Sequence, residues 1–152
     1  MPRFAFFEPD IAQNLGTMLR TAASLECPAH VIEPCGFPFS AKGLRRAGMD
    51  YLDHVDLTTH MDWEAFQAYR TDNPGRLVLL TTKASVPYTQ HQFADSDYLL
   101  VGRESAGVPE EVHAASDNRV LIPMAGSTRS LNVAVSLAMV AGEAMRQLGR
   151  FG

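Results

Sequence analysis

The chain has 152 residues, 46% of them hydrophobic and 20% charged, with a formal net charge of −4. That length buries a real core without disulfides or a structural metal. The acidic balance excludes the strongly basic footprint of an indiscriminate nucleic-acid binder, although a local basic patch still works inside an acidic total.

Arg3 to Phe7 is a short apolar run ended by Glu8-Pro9-Asp10, which predicts a strand leading into a turn. From Gln13 to Leu25 the residues Leu15, Met18, Leu19, Ala22 and Leu25 recur close to helical spacing. His30 to Ile32 reads as a second strand closed by Glu33-Pro34-Cys35-Gly36. Ser40 to Ala47 predicts a short basic helix N-capped by Ser40 and carrying Lys42, Arg45 and Arg46. A strand is expected near Val55 to Leu57, then a helix from Asp62 to Tyr69 capped by Asp62. Leu77–Thr81, Tyr98–Val101 and Val120–Ile122 are continuous apolar runs of the buried, parallel-sheet kind. Between the last two lies a short helix, Pro109 to Ala115, with proline in its first turn. Asn132 to Leu148 is the longest helix. Strands alternating with helices indicate an α/β fold with a parallel sheet, and with no linker in view residues 1–152 read as one domain.

The stretch from Leu131 to Met145 is broken by Asn132, Ser136, Gly142 and Glu143, so it does not read as a membrane span. Cys27 and Cys35 lack a CxxC partner and no signal-peptide pattern opens the chain, which predicts reduced thiols in a soluble, cytoplasmic protein with no membrane partner. The histidines His30, His54, His60, His91 and His113 show no ligand spacing, so no metal is expected and all five read as surface or turn residues. Neither GxGxxG nor GxxxxGK[ST] occurs, and Ser130 has no G-x-S-x-G context, so dinucleotide, P-loop and hydrolase-elbow chemistry lack their signatures.

Three glycine-bearing segments follow predicted strands: Asn14-Leu15-Gly16, Gly102-Arg103-Glu104-Ser105-Ala106-Gly107, and Gly126 to Asn132. Each alone is an ordinary turn. Together they suit the loops beyond strand carboxyl ends, where backbone can approach a ligand. Arg20 interrupts an apolar helical stretch six positions after Asn14, and Glu104 stands directly after a buried strand, positions that suit either site residues or solvated surface charges. Ala134, Ala138, Ala141 and Gly142 on the last helix fit close packing, against a dimer partner or within the core.

With Gln13-Asn14-Leu15-Gly16-Thr17-Met18-Leu19-Arg20, Leu100 to Pro109, and Ile122-Pro123-Met124 followed by Arg129-Ser130-Leu131-Asn132-Val133 in that order, the chain resembles the 2′-O-ribose methyltransferase branch of the SPOUT superfamily. The segments His30 to Phe37 and Leu44 to Tyr51 resemble its tRNA wobble-position subgroup. Two departures are Ala12, where relatives usually have proline, and Val-Ala-Val-Ser after Asn132, where wobble enzymes often carry Leu-Ser-Asn-Ala.

The resemblance implies a parallel sheet with a C-terminal deep trefoil knot, which general topology rules alone reject. It implies a homodimer, a tRNA substrate and S-adenosylmethionine as methyl donor. The donor pocket it implies includes Leu80, Gly102, Ile122, Ser130 and Leu131, with Asn14, Arg20, Glu104, Ser130 and Asn132 around the reacting groups. Lys42, Arg45 and Arg46, outside the three motifs, are read as RNA phosphate contacts. The alternatives are a 2′-O-methyltransferase of ribosomal RNA or another tRNA position, and a non-catalytic knotted RNA-binding protein.

Overall fold

The structure, a computed structural model, describes residues 1–46, 50–126 and 131–151; side chains at 41, 45, 46, 50 and 51 lie outside the description. Six strands, β1 (Arg3–Phe7), β2 (Ala29–Ile32), β3 (Leu57–His60), β4 (Leu77–Leu80), β5 (Tyr98–Val101) and β6 (Asn118–Val120), form one sheet in the order β3-β2-β1-β5-β4-β6. Every pairing is parallel. The helices are α1 (Ala12–Leu25), α2 (Ala41–Arg46), α3 (Trp63–Asp72), α4 (Glu110–Ala115) and α5 (Val133–Gln147).

Side chains alternate across the sheet as the period of two demands. Phe4, Phe6, Val78, Leu99 and Val101 face a core completed by Leu15 and Leu19 of α1 and Leu137, Val140 and Ala144 of α5. Ala5, Phe7, Leu77, Leu79, Tyr98 and Leu100 face the other way, onto Trp63 and Phe66 of α3 and Val112 of α4. Both faces are therefore covered, which is why these strands are apolar without polar alternation. Burying each large side chain contributes roughly 1.5–3 kcal/mol.

The capping predictions hold in detail. Ser40 Oγ accepts from the Gly43 amide at 2.8 Å, and Asp62 Oδ1 accepts from the Ala65 amide at 2.8 Å. Pro109 precedes α4 as its N-cap rather than lying in its first turn, at φ −68° and ψ 163°. Two strands shift from their expected places. β3 starts at Leu57 and runs through Thr58, Thr59 and His60, and β6 begins at Asn118. Both lie at the edges of the sheet, where half-exposed polar residues weaken the apolar signal. Single-turn 3-10 helices at Asp50–His54 and Tyr88–Gln90 have no counterpart in the sequence reading.

The last helix separates the two readings of its small residues. Ala134 and Ala141 belong to the chain's own core, and only Ala138 of these three alanines is exposed. The outward stripe is instead Leu131, Val135 and Met139, spaced four apart, beside Ala138. On the other side of β6, the connection after β4 is tied twice. Tyr88 donates to the Leu121 carbonyl at 2.9 Å and Leu121 to Val86 at 3.0 Å, while the Phe93 amide donates to Gln147 of α5 at 2.9 Å.

The histidines also depart from expectation: His30, His60 and His91 are buried. His30 Nδ1 lies 3.0 Å from His60 Nε2, and the pair is boxed by Phe66, Tyr69 and Tyr98. Burial, with the neighbouring His60 and Arg3, pushes His30 down to about 4; burial lowers His60 too. Between the unfolded value near 6.5 and about 4, the unfolded chain therefore binds a proton that the native state refuses. Stability is complete above pH 6.5 and falls as pH drops through that window, by about 3 kcal/mol from His30. The urea midpoint should be clearly lower at pH 5 than at pH 7.5. His30→Leu, neutral at every pH, should flatten that dependence; an equally steep loss in the variant assigns the acid sensitivity to other groups.

Candidate functional site

Because all strands run parallel, the loops after β1, β4, β5 and β6 gather at one end of the sheet. There a cleft of about 280 Å³ opens, with Leu80, Val101, Ile122, Leu131 and Val140 as apolar walls and Thr81, Thr82 and Ser136 supplying hydroxyls. Gly102 and Gly107 line the same cleft. Arg103 and Gly107 exchange backbone hydrogen bonds at 2.9 and 2.8 Å, closing a tight turn with Gly107 at φ +62°. A Cβ on Gly102 would stand 2.6 Å from the Gly107 carbonyl carbon, so glycine is what lets the two backbones meet.

At the tip of that turn Glu104 enters a row of hydrogen bonds. Asn14 Nδ2 donates to Glu104 Oε1, and Asn132 Nδ2 donates to Asn14 Oδ1 at 3.0 Å. Asn132 Oδ1 accepts from the Ala134 and Val135 amides at 2.8 and 3.2 Å, capping α5. The orientation of every amide follows from its ends. A carboxylate only accepts and a helix N-terminus only donates, so both asparagines must turn their NH2 groups toward Glu104. Three sequence segments, up to 118 positions apart, meet in this row.

Of the sequence-predicted residues, the structure brings Asn14, Glu104 and Asn132 together and places Leu80, Gly102, Ile122 and Leu131 around the cleft. Ser130 lies outside the described residues. Arg20 lies on the exposed flank of α1. Six residues of α-helix separate it from Asn14 by about 9 Å along the axis and about 120° around it, so the two side chains leave α1 in different directions. Lys42 is exposed on α2, which carries Arg45 and Arg46 and follows the loop after β2 at the same end of the sheet.

Several contributors escaped the sequence reading. Thr81, Thr82, Ser136 and Val140 line the cleft without any motif to mark them. Glu8 adopts φ +43° directly after β1, turning the chain under the 103–107 loop. Its carboxylate lies 3.7 Å from Arg103 Nη1, and the same guanidinium sits 5.6 Å over the Phe7 ring. The run Glu8-Pro9-Asp10 signals a turn, and nothing local says which loop that turn grips.

The cleft suits a nucleoside-bearing ligand: apolar walls for a base, hydroxyls for a ribose, and a carboxylate at the rim that favours positive charge. Comparison with known proteins narrows this. A sequence model of the SpoU rRNA Methylase family matches residues 1–142. The tRNA (cytidine(34)-2′-O)-methyltransferase of Beijerinckia indica is 59% identical over 145 residues, covering 95% of this chain and 91% of its own. A solved structure reported for the 2-OH methylation of C/U34 on tRNA superposes with a TM-score of 0.90 at 41% identity, covering 99% of this chain and 97% of its own. An AdoMet-bound rRNA methyltransferase from Sinorhizobium meliloti superposes with a TM-score of 0.84 at 27% identity, covering 97% of this chain and 56% of its own.

Proposed function

The chain belongs to the SpoU rRNA methylase family, and from that premise we infer that it transfers a methyl group from S-adenosylmethionine to a ribose 2′-hydroxyl of tRNA, at the wobble nucleotide of the anticodon. The observation that supports this best is the Glu104–Asn14–Asn132 row beside the donor cleft. The Beijerinckia relative and the C/U34 structure, both matching nearly end to end, carry the tRNA name, which favours tRNA over ribosomal RNA.

We assign the donor to the cleft lined by Leu80, Gly102, Ile122 and Leu131, with Ser130 contributing from outside the described residues. S-adenosylmethionine, when bound, supplies a methyl carbon activated by its sulfonium, so a neutral thioether leaves and no acid is needed. What remains is to align a weakly acidic hydroxyl with that carbon. Alignment alone is worth roughly 7–11 kcal/mol, and help with the proton typically 10²–10⁴-fold. Asn14, Glu104 and Asn132, each oriented by the next, form the rigid edge against which the ribose is placed. Arg20, whose guanidinium stays protonated, donates hydrogen bonds to the forming alkoxide or the adjacent phosphate.

The connection after β4, bonded to Leu121 on one side and to Gln147 of α5 on the other, supports a C-terminal trefoil knot. One sheet shared by both cores supports a single domain over residues 1–152. No helix among the described residues is long and apolar enough to cross a membrane, and Cys27 and Cys35 are free thiols, in keeping with a cytoplasmic enzyme.

A homodimer completes the reading, through the outward stripe of Leu131, Val135 and Met139. In such a dimer we assign Arg20 of one subunit to the row of the other. Sedimentation at micromolar concentration should give a dimer, and Val135→Asp with Met139→Asp a folded monomer; a wild-type monomer removes this part of the proposal.

Lys42, Arg45 and Arg46 of α2 are assigned to phosphates of the anticodon arm. Each such contact contributes roughly 0.7–0.9 to the slope of log K against log salt. Arg45→Ala with Arg46→Ala should weaken tRNA binding and flatten the slope by about 1.5, with donor affinity unchanged. An unaltered slope returns both residues to the solvated surface.

The overall reading is tested by mapping ribose methylation in tRNA from cells with and without the gene. Loss of a single 2′-O-methyl at the wobble position supports it. Loss at a ribosomal site, or no loss, overturns it.

A further inference from the structure

We propose that Asp10 is a positioning residue for the methyl-transfer site, its carboxylate acting as the clamp that fixes Glu104 at the head of the hydrogen-bonded row. The inference rests on the proposed function. Glu104, Ser105 and Ala106 are all exposed, at the tip of a turn whose own backbone is closed by the Arg103–Gly107 pair. An exposed tip does not hold a carboxylate to a fraction of an ångström, yet the site demands that precision.

Asp10 supplies the missing restraint. Its Oδ1 accepts from the Glu104 amide at 3.1 Å, and its Oδ2 accepts from the Ser105 amide at 3.4 Å and from the Ser105 hydroxyl. Three donors from two successive residues thus converge on one carboxylate. Burial raises the Asp10 pKa, but the bonds from Ser105 and Glu104 outweigh it and hold the group below its ordinary value. With its oxygens turned onto the loop, Asp10 acts on the substrate only through Glu104.

Asp10 is itself held. The Gly36 amide donates to the Pro9 carbonyl at 2.9 Å, and a Cβ on Gly36 would stand 2.8 Å from Asp10 Cβ and 2.9 Å from its Cα. The loop after β2 therefore presses on the residue, and Gly36 is small because Asp10 is there. The Glu8–Arg103 pair grips the same turn at its base. The β1–α1 connection accordingly carries two functions: Asn14 at the start of the helix, and the clamp that brings Glu104 to it.

The experiment compares the wild-type protein with Asp10→Asn, Asp10→Ala and Gly36→Ala in two measurements. The first is amide hydrogen exchange in the ligand-free protein. Glu104 and Ser105 should exchange faster in all three variants, while amides of β1 and β5 keep their protection. The second is single-turnover methylation of the anticodon stem-loop with saturating donor and RNA. Displacement of about 1 Å costs up to about 10²-fold, so Asp10→Ala should lose about 10- to 100-fold. Asp10→Asn, which keeps one acceptor oxygen, should fall between it and wild type. Gly36→Ala, which leaves the carboxylate in place and moves its carrier, should follow the same direction. In a Glu104→Ala background, Asp10→Ala should cost almost nothing further.

Unchanged exchange at Glu104 and Ser105 overturns the clamp, as does a rate loss that stands in full without the Glu104 side chain. A wild-type protein that methylates no tRNA overturns the functional reading, and the inference falls with it. A wild type that is active beside an equally active Asp10→Ala removes the inference alone.

Discussion

Arg20→Ala should lower the single-turnover rate of methylation of a tRNA anticodon stem-loop by about 10²–10³-fold, the cost of one preorganised donor in comparable sites. The expectation rests on a cationic side chain on the exposed flank of α1, six positions after a residue of the Glu104 row. Negative charge grows on the ribose oxygen as the methyl transfers. A guanidinium beside it therefore binds the transition state more tightly than the ground state, and its loss lowers kcat more than it raises KM. Arg20→Lys keeps the charge but loses the planar fork of donors, and should fail nearly as badly. Donor affinity should stay close to wild type in both variants, because the donor cleft does not include Arg20 among its described walls. If Arg20→Ala turns over normally at saturating RNA and is defective only in RNA affinity, the residue is a phosphate anchor and activation belongs to another group.

Gly102→Val should abolish binding of S-adenosylmethionine. The obstacle is backbone: the added Cβ would meet the carbonyl carbon, oxygen and Cα of Gly107 at 2.6, 2.8 and 2.9 Å. No flexible side-chain end is present to swing away, so the turn itself must open. Opening it breaks the Arg103–Gly107 pair and widens the cleft wall that both glycines form. Titration calorimetry should show a loss of at least about 100-fold in affinity, roughly 2.7 kcal/mol. Gly102→Ala should lie between, since a single methyl asks for a smaller shift. Circular dichroism separates this from unfolding, because the sheet on the far side of β5 is untouched by the turn. Normal donor affinity in a folded Gly102→Val protein would falsify the placement of the donor against this turn.

How much of this was legible beforehand depended on the range of the interaction. β1 and β5 are found at their full length because they are buried on both faces and leave a continuous apolar run. The sequence places β3 too early, near Val55, because Thr58 and Thr59 at a sheet edge give no such run. The caps Ser40 and Asp62 were legible because a cap bonds an amide three residues on. The buried pair His30 and His60 is not, since each packs against a partner 30 positions away. The site divides in the same way. Asn14, Glu104 and Asn132 were singled out by the order of their motifs, yet no spacing says that they touch in a row. Asp10 reads only as a turn residue because its three donors lie more than 90 positions downstream. Ala134 and Ala141 leave interface and core open in the sequence because small residues suit both equally well; only the packing of α5 on the sheet distinguishes them.

The sheet order sets a timetable for synthesis. β1 lies at the centre of the sheet, but its neighbour β5 pairs Arg3 with Tyr98, so one flank of the first strand to emerge waits for a segment made some 95 residues later. At about 5–20 residues per second that wait lasts roughly 5–20 s. Throughout it, β1, β2 and β3 can assemble only as half a sheet, with an open hydrogen-bonding edge and with Phe4 and Phe6 lacking the α5 side of their core. Such an edge is a template for pairing with another nascent chain. The nascent polypeptide should therefore be a client of ribosome-associated chaperones until Val101 has left the exit tunnel. Stalled chains ending before β5 should aggregate, while chains extended past α5 should resist added protease.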